Sequence, residues 1–595
     1  MTPSNPRRTA QTFTRWLLVV AASGAPRLAR AEGPSTEMLQ SQYSAYERAT
    51  IHEVLKTFDT TWDSNAEGET IGEIYVVPLE VFEDRDPLLK FANMFHIRTR
   101  PYVIRREVLV SPGGKYSQKL VDETAINLRL LPQFSLVLCI PAKSKTRGKV
   151  DLIVVAKDVW SLRPSWNAAF GSGGLESLTL QPTETNFLGT HQAITARYQW
   201  QPNSHLFGAR YVMPRVANSR ILAVAESAMT VNRRTGKPEG SLGAFSLNQP
   251  LFSSTTKWAW KTSISWQNIV YRRYVGAHLA AFESKAADAS VPYEYRSIQT
   301  TPTVSATRSF GSSFKHDLTW GYIYDRRVYR TIDTGNLNYL ALAEFAHTAL
   351  PTTDTRSAPY VQVRSYRSEF AHLLDFETLG LQEDYRLGHD VFVMLTPVSR
   401  ALGSTRDFLS VYAGAQYTMA LADGFTRVGI ESQTDLQSDR IPTAYFSANA
   451  RLVTPRFRLG RLIVDAELMY RYRNYYNQNS SLGGDGRLRG YPSNYLIGPD
   501  LIAYNFEYRT QPIEIFTMQI GGALFYDVGD AFNGFDNLRV RQSVGFGARV
   551  LFPQFDRVVL RGDFGFPVGS ATHLPPAFYF SFGQAFPVST IAPTL

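Results

Sequence analysis

From Trp160 to about Phe586 the chain is a succession of segments in which apolar and polar side chains alternate one for one. That is the pattern of strands with one dry face and one wet face. In Val464-Asp-Ala-Glu-Leu-Met-Tyr-Arg-Tyr-Arg473, one face takes Val464, Ala466, Leu468, Tyr470 and Tyr472, and the other takes Asp465, Glu467, Arg471 and Arg473. Ala503-Tyr-Asn-Phe-Glu-Tyr-Arg509 sends Tyr504, Phe506 and Tyr508 one way, with Asn505, Glu507 and Arg509 the other. Leu560, Phe564 and Phe566 divide in the same manner from Arg561 and Asp563.

A soluble sandwich satisfies the same alternation with its apolar face turned inward, so the environment has to be read from other features. Three favour a membrane barrel. An export signal opens the chain: Arg7, Arg8 and Arg15 precede the short apolar run Trp16-Leu-Leu-Val-Val-Ala-Ala22, and Ala29-Arg-Ala31 offers small residues for cleavage, so the mature chain is expected to begin near Glu32. The paired Arg7-Arg8 lacks the rest of a twin-arginine pattern, which favours general secretion. The strand faces are rich in aromatics, with 31 Tyr and 36 Phe against a charged fraction of 19%, as the lipid face and rims of a barrel require. Long polar connections, Ala281 to Pro292 and Asn474 to Asp500, suit extracellular loops. No run after the signal is long and apolar enough for a membrane helix. The expected fold is mainly β: an antiparallel transmembrane barrel over 161–587, with a tail at 588–595. Its strands number between about sixteen and nineteen, because boundaries near Thr179 to Thr230 and Ala401 to Gln433 stay open by a few residues, and an even number is expected.

The formal charge of +10 falls to about +5 once the five arginines of the signal are removed, too diffuse over this length for a nucleic-acid partner. Cys139 is the only cysteine, so an intramolecular disulfide and a cysteine-clustered metal site are both excluded; its simplest role is apolar filling. Residues 32–68 are expected to form a helical linker, with Leu39, Tyr43, Tyr46, Ile51, Val54 and Leu55 at loosely helical spacing. From 69 to 160 the order is strand, helix, helix, strand, strand. The first strand lies in Ile71 to Phe82, helices around Tyr102 to Leu109 and Leu120 to Leu131, and the closing hairpin is Leu136 to Ile140 with Val150 to Val155. A mixed sheet covered on one face follows.

This order, with Tyr116 at the second helix and Lys157-Asp158-Val-Trp160 after the last strand, resembles a single POTRA domain, a module placed in the periplasm before a barrel. A second resemblance lies in Gly483-Gly-Asp-Gly-Arg-Leu-Arg-Gly-Tyr491, whose tip Leu488-Arg489-Gly490-Tyr491 is similar to the Val-Arg-Gly-Phe/Tyr tip of the sixth extracellular loop in the BamA-like outer-membrane assembly factor superfamily, the bacterial surface antigen family. Leu488 departs from the commoner Val or Ile. Asn505-Phe-Glu507-Tyr-Arg509 and Phe525-Tyr-Asp527-Val-Gly529 match the family's next two strands. The resemblance implies sixteen strands and a loop folded into the barrel, Arg489 meeting Asp527 with Glu507 as second acceptor. Parity supports this: Asp527 shares a face with Phe525 and opposes Leu524 and Tyr526, so the carboxylate is luminal if those two face lipid, and Arg can fork to it. Gly490 is expected to let the tip bend and Tyr491 to stack on the wall. The last strand, Ala577 to Phe586, is expected to close the barrel against the first, with Phe578, Phe580, Phe582 and Phe586 on one face and Gly583 on the other. Gly583 serves either a weak seam or plain curvature there.

His316-Asp317 and His389-Asp390 are adjacent pairs, which a strand turns to opposite faces, and no hydrolase, metalloprotease or phosphate-loop motif occurs. No enzymatic activity and no cofactor are expected. The resemblance implies an outer-membrane protein of a Gram-negative-type bacterium. Its POTRA-like domain would capture unfolded outer-membrane or secreted clients by β-augmentation, and its barrel would insert or export them, protein or lipid, among outer-membrane lipids and with periplasmic accessory proteins. The competing expectation is a passive porin-like channel or surface antigen that handles no client. A two-partner secretion exporter is disfavoured by the single POTRA-like domain.

Overall fold

The computed structural model describes residues 43–586 except 84–92, 95, 172–173, 333–334, 517, 556 and 570–573. The expected signal at 1–31, its cleavage point and the tail at 588–595 lie outside the described residues.

The N-terminal portion is a small α/β unit. Helix α1 (Ala45–Thr57) starts on a capping box: Ser44 N–H donates to Glu47 Oε2 at 2.8 Å and Glu47 N–H to Ser44 Oγ at 3.2 Å, satisfying amides that the first turn leaves free. Then come β1 (Thr70–Leu79), α2 (Pro101–Arg105), α3 (Gln118–Arg129), β2 (Phe134–Lys143) and β3 (Lys149–Asp158). The sheet order is β1-β3-β2, with β1 parallel and β2 antiparallel to β3. The expectation of a sheet covered on one face is corrected, because both faces are covered. Ile104, Val121, Ala125 and Leu128 of α2 and α3 pack on Ile71, Val137, Leu152 and Val154, while Ile51 and Val54 of α1 pack on Leu136, Leu138, Ile140 and Val155. Burial from both sides is why Leu136 to Ile140 is an unbroken apolar run. Cys139 is only partly buried, beside the first of these cores.

Beyond Asp158 the strands close into one antiparallel barrel, running from Leu162–Gly171 to Ala577–Phe582, which pair with each other. Among the described residues it has 20 strands, Ile513–Ile515 being the continuation of Asp500–Thr510 past Pro512. The preferred sixteen is corrected. The additional strands come from the stretches whose boundaries stayed open, where Gly174–Phe187, Gln192–Trp200, Ser204–Met213 and Leu222–Asn232, and later Phe408–Leu421 and Gly424–Leu436, follow one another through short turns. Small residues such as Thr183, Ala193, Thr195 and Gly208 stand among their inward positions beside Gln181, Arg197 and Arg210, and they blur the alternation from which strand ends are read.

The outward face is apolar and open. Val304 and Val363 are each 55% exposed and Leu524 63%, with Phe207, Phe245, Trp320, Val393, Val428, Phe546 and Phe564 exposed around them. A girdle of this extent has no counterpart on a water-facing monomer and fits a hydrocarbon environment.

The α/β unit sits on one rim of the barrel. Along α3, Lys119 Nζ donates to Ser312 O at 3.2 Å, Glu123 accepts from Ser254 N–H at 2.9 Å, and Asn127 Nδ2 donates to Phe252 O at 2.7 Å. Glu107, 2% exposed, is bound by Arg215 and Arg220 from the turn after Ser204–Met213.

Candidate functional site

The lumen is filled from both ends along one side. From the rim that carries the α/β unit, the connection between Asp354–Arg367 and Gly388–Val398 folds inward as a hairpin, Phe370–Leu374 with Gln382–Arg386. Its Leu373, Phe376 and Tyr385 pack against Phe425, Val453 and Ile463 of the wall. The turn is held by Glu383, whose carboxylate accepts from the backbone N–H groups of Phe376, Glu377 and Thr378 at 2.8–3.1 Å. Such convergent donors satisfy a buried carboxylate, and the charges of Arg557 and Arg461 also act on it. From the opposite end comes the loop between Gly460–Asn474 and Asp500–Thr510, which carries residues 488–491.

Arg489 is wholly buried. Its Nε and Nη2 fork to Asp527 at 2.9 Å each, its backbone N–H reaches the same carboxylate at 3.0 Å, and Nη1 donates to Glu507 at 2.5 Å. The guanidinium lies 3.6 Å from the centre of the Phe525 ring. The structure therefore brings Arg489, Asp527, Glu507 and Phe525 into one contact set. A buried bidentate pair with a second carboxylate and an aromatic face beneath it leaves no donor of the fork to water.

The tip turns at Arg489-Gly490, where Tyr491 N–H donates to Leu488 O at 3.2 Å, and Leu488 just before the turn takes the left-handed conformation at φ 55° and is 1% exposed. Gly490 is needed for proximity as well, since a Cβ there would stand 2.5 Å from Ser543 Cβ and 2.8 Å from Phe566 C. Tyr491 is fully buried, its ring 5.4 Å from that of Tyr495 and its carbonyl accepting from Tyr579 Oη at 2.6 Å. Gly529 is a close-packing position too, a Cβ there meeting Ile502 O at 2.7 Å.

Further residues complete the cluster. Asp563 accepts from Arg549 at 2.5 Å, from Arg561 at 2.9 Å and from Arg489 at 3.4 Å, while Arg509 donates to Glu507 at 2.6 Å. Gly565 makes room for the tip, because a Cβ there would fall 2.2 Å from Arg489 O. Their signal was in the sequence. Arg561 and Asp563 hold the polar face of an alternating strand, and charges on a luminal face two residues apart are placed to meet a charged loop. Arg509 also joins the two inserted segments, donating from Nη1 to Phe376 O at 2.7 Å.

The closing strand requires two corrections. It ends at Phe582, and Gly583 lies beyond it at φ 90°, with its N–H on Val559 O at 2.8 Å, so Gly583 belongs to the exit turn and not to the seam. Phe578, Phe580 and Phe582 face outward, but Phe586 does not join them. After the turn the chain bends into the lumen, where Phe586 is 3% exposed and its ring centre is 5.5–5.7 Å from the guanidinia of Arg451, Arg489 and Arg509. Among the described residues the seam is made by Phe578, Tyr579 and Phe580 opposite Phe170, Ala169 and Ala168, three pairs where the neighbouring ladder has six.

Across the lumen from the charged cluster the wall is hydroxylic. Inward positions pair Thr183 with Thr195 at 3.0 Å, Ser263 with Thr303 at 2.7 Å and Thr307 with Thr319 at 2.8 Å, and a cavity of 630 Å³ opens among Gln181, Thr195, Arg197 and Arg210. Of the two histidine pairs, Asp390 is ion-paired with Arg364 at 2.6 Å, and His389 stacks on Phe314 with ring centres 5.7 Å apart. Among the described residues no group of three or more His, Cys, Asp or Glu is arranged to hold a metal.

No protein-family model matches the sequence, and no curated protein does. Among solved structures, CdiB from Escherichia coli is similar at 11% identity and a TM-score of 0.41, over 94% of this chain and 89% of that one. BamA from Haemophilus ducreyi lacking POTRA domains 1-3 is similar at 14% identity and a TM-score of 0.35, over 86% and 84%. The ferric preacinetobactin receptor BauA from Acinetobacter baumannii is similar at 10% and 0.35, over 76% and 85%. Likeness at these values is confined to fold, which the closed strand order establishes by itself.

Proposed function

We propose that the chain is an outer-membrane barrel that inserts or exports protein clients, its α/β unit acting as a POTRA-like capture module on the periplasmic rim. The observation that carries this reading is Arg489 buried in the lumen on Asp527 and Glu507. A loop used only for surface display has no need to place a guanidinium there, where an unpaired charge would be prohibitive. Two features add support. The sheet of the α/β unit has two outer edges: among the described residues β1 is met at Thr70 and Ile71 by Lys115, Gly113 and Gly114 and at Ile74 O by Arg105 Nη1, and β2 near its end, Trp62 to Ala142. The remainder of either edge suits a client strand. The seam at Phe578–Phe580 has three pairs among the described residues, fewer than the ladder beside it. Work would come from client folding and lipid burial, with no cofactor. Depleting the protein and profiling the outer membrane tests the reading: loss of particular barrel or surface proteins is expected, and restoration by Arg489→Ala/Asp527→Ala to the wild-type profile would sink it.

The hydroxylic half of the lumen favours a second reading, a passive conduit for small hydrophilic solutes. A steady, large single-channel conductance that ignores both substitutions would select it, whereas a small flickering one agrees with a lumen occluded by the loop.

A further inference from the structure

At the end of the lumen away from the α/β unit lies a cavity of 560 Å³ that the Arg489 cluster does not use. Its size falls within the range of about 300–1,000 Å³ typical of small-molecule sites. Three adjacent strands contribute luminal tyrosines: Tyr271 and Tyr295 stack with centres 4.8 Å apart, and Tyr329 meets Tyr295 edge-on at 5.8 Å. Three loops enclose the space and are tied together. Gly276 N–H donates to Ser493 O at 3.0 Å, Thr352 Oγ1 to Tyr475 O at 2.6 Å, and Asn477 Nδ2 to Thr348 O at 2.7 Å.

The charge in this space is one-sided. Four arginines line it and no described lining residue is acidic. Arg272 is engaged by Glu239 and Glu294, and Arg327 by Asp325. Arg273 and Arg471 make no ion pair among the described residues, and their Nε atoms, like Tyr274 Oη, are buried without a hydrogen-bond acceptor among them. Buried donors of this kind are costly unless something accepts from them. The rest of the lining supplies side-chain amides and hydroxyls, Asn477, Asn494 and Ser480 among them, with little aliphatic surface. The ligand that answers all of this is anionic, dense in oxygen acceptors and flat-sided. We propose that the cavity binds a short acidic saccharide. Its carboxylate would sit on Arg273 and Arg471, its hydroxyls on the amides, and the C–H face of a ring against the tyrosines. An acidic peptide would supply the charge but would need apolar recesses for its other side chains.

The test is calorimetric titration of the full mature chain in detergent with trigalacturonate, alongside neutral maltotriose and hexaglutamate. Saturable binding of trigalacturonate is expected, at least tenfold tighter than either comparator and at least tenfold weaker in Arg273→Gln, a change of about 1.4 kcal/mol per tenfold. Tyr274→Phe, which removes one oxygen, is expected to weaken it about threefold, within the range for a neutral hydrogen bond. Because Arg471 also holds Ser480 and Pro499, Arg273→Gln and Tyr274→Phe are the informative variants, and unheated gel mobility equal to wild type certifies their barrels. No heat from trigalacturonate, binding indifferent to Arg273→Gln, or hexaglutamate binding as tightly would each overturn the assignment; the last would make the site one for acidic peptide. None of these outcomes bears on client handling.

Discussion

Arg489 concentrates the energetics of the molecule at one residue. Removing one partner of a buried ion pair strands the other, at a cost of about 3–5 kcal/mol. Arg489→Ala is therefore expected to lower the thermal midpoint of the barrel in detergent, and Asp527→Ala to do the same. The double variant should lie far above the sum of the two losses in a double-mutant cycle, because the stranded charge is then gone. Arg489→Lys is not conservative here, since an ammonium cannot fork to Asp527 while also reaching Glu507. Gly565→Ala places a methyl 2.2 Å from Arg489 O and should reproduce the loop defect without touching a charge. At the joint with the α/β unit, His191 is buried with its ring 3.1 Å from Thr99 Oγ1 and edge-on to Phe134. Burial, reinforced by Arg106 and Arg215, holds its imidazole down at about 3. Once exposed, it would take a proton near pH 6.5. The folded pKa is the lower of the two, so this contribution to stability is whole above about pH 6.5 and is lost as pH falls toward 3. Protease susceptibility of the α/β unit should rise between pH 7.5 and 5, by up to about 2 kcal/mol of opening free energy, and His191→Asn should flatten that rise.

At the scale of elements, the inserted hairpin connects the α/β unit to the cluster. Arg129 at the end of α3 donates to both oxygens of Asp384 at 2.7–2.8 Å, and His372 meets the same carboxylate at 2.5 Å. The hairpin's Phe376 carbonyl then meets Arg509, and Arg509 meets Glu507. Replacing residues 369–387 by a short Gly-Ser turn is expected to raise single-channel conductance several-fold. An unchanged conductance would mean that the hairpin does not obstruct the lumen. The sheet of the α/β unit is covered on both faces by two-sided burial of β2 and β3. Cys139 reports on it: although only partly buried beside the first core, its thiol is pushed up to about 12 by desolvation there, and only the thiolate reacts. Alkylation by iodoacetamide at pH 8 should be negligible until denaturant opens the unit, and labelling as fast as in free cysteine would contradict the packing.

For the whole molecule, the closing seam is the place where the barrel holds itself together least. Ala168 stands opposite Phe580 in it, away from the inserted loop, near enough for a disulfide when both are replaced by cysteine. The Ala168→Cys/Phe580→Cys pair should oxidise spontaneously and block client insertion while leaving the small conductance of the lumen as it was. A passive conduit would instead be indifferent to the lock in every assay.

Strand periodicity, the outward apolar girdle, the βααββ order and the charged loop with its acidic wall are local or parity properties, legible one segment at a time. They follow from side chains alternating across a strand, whatever the strand pairs with. Strand number was not legible, because short turns and small inward residues such as Thr183, Ala193 and Gly208 weaken the contrast that marks an end. Nor was the second cover of the α/β sheet, although its unbroken apolar run was present in Leu136 to Ile140. Parity carried Phe586 to the outward face, and the left-handed turn at Gly583 reversed it. At the loop tip Leu488 takes a left-handed conformation beside the turn at Arg489-Gly490, because surrounding packing over-determines a conformation that a branched residue avoids alone. What the sequence determined by itself was which face of each segment is wet. Which segments meet inside the barrel was decided only by closure, since the contacts of Arg489 with Asp563, Phe586 and Gly565 join residues far apart in the chain, and alternation along any single strand carries no information about them.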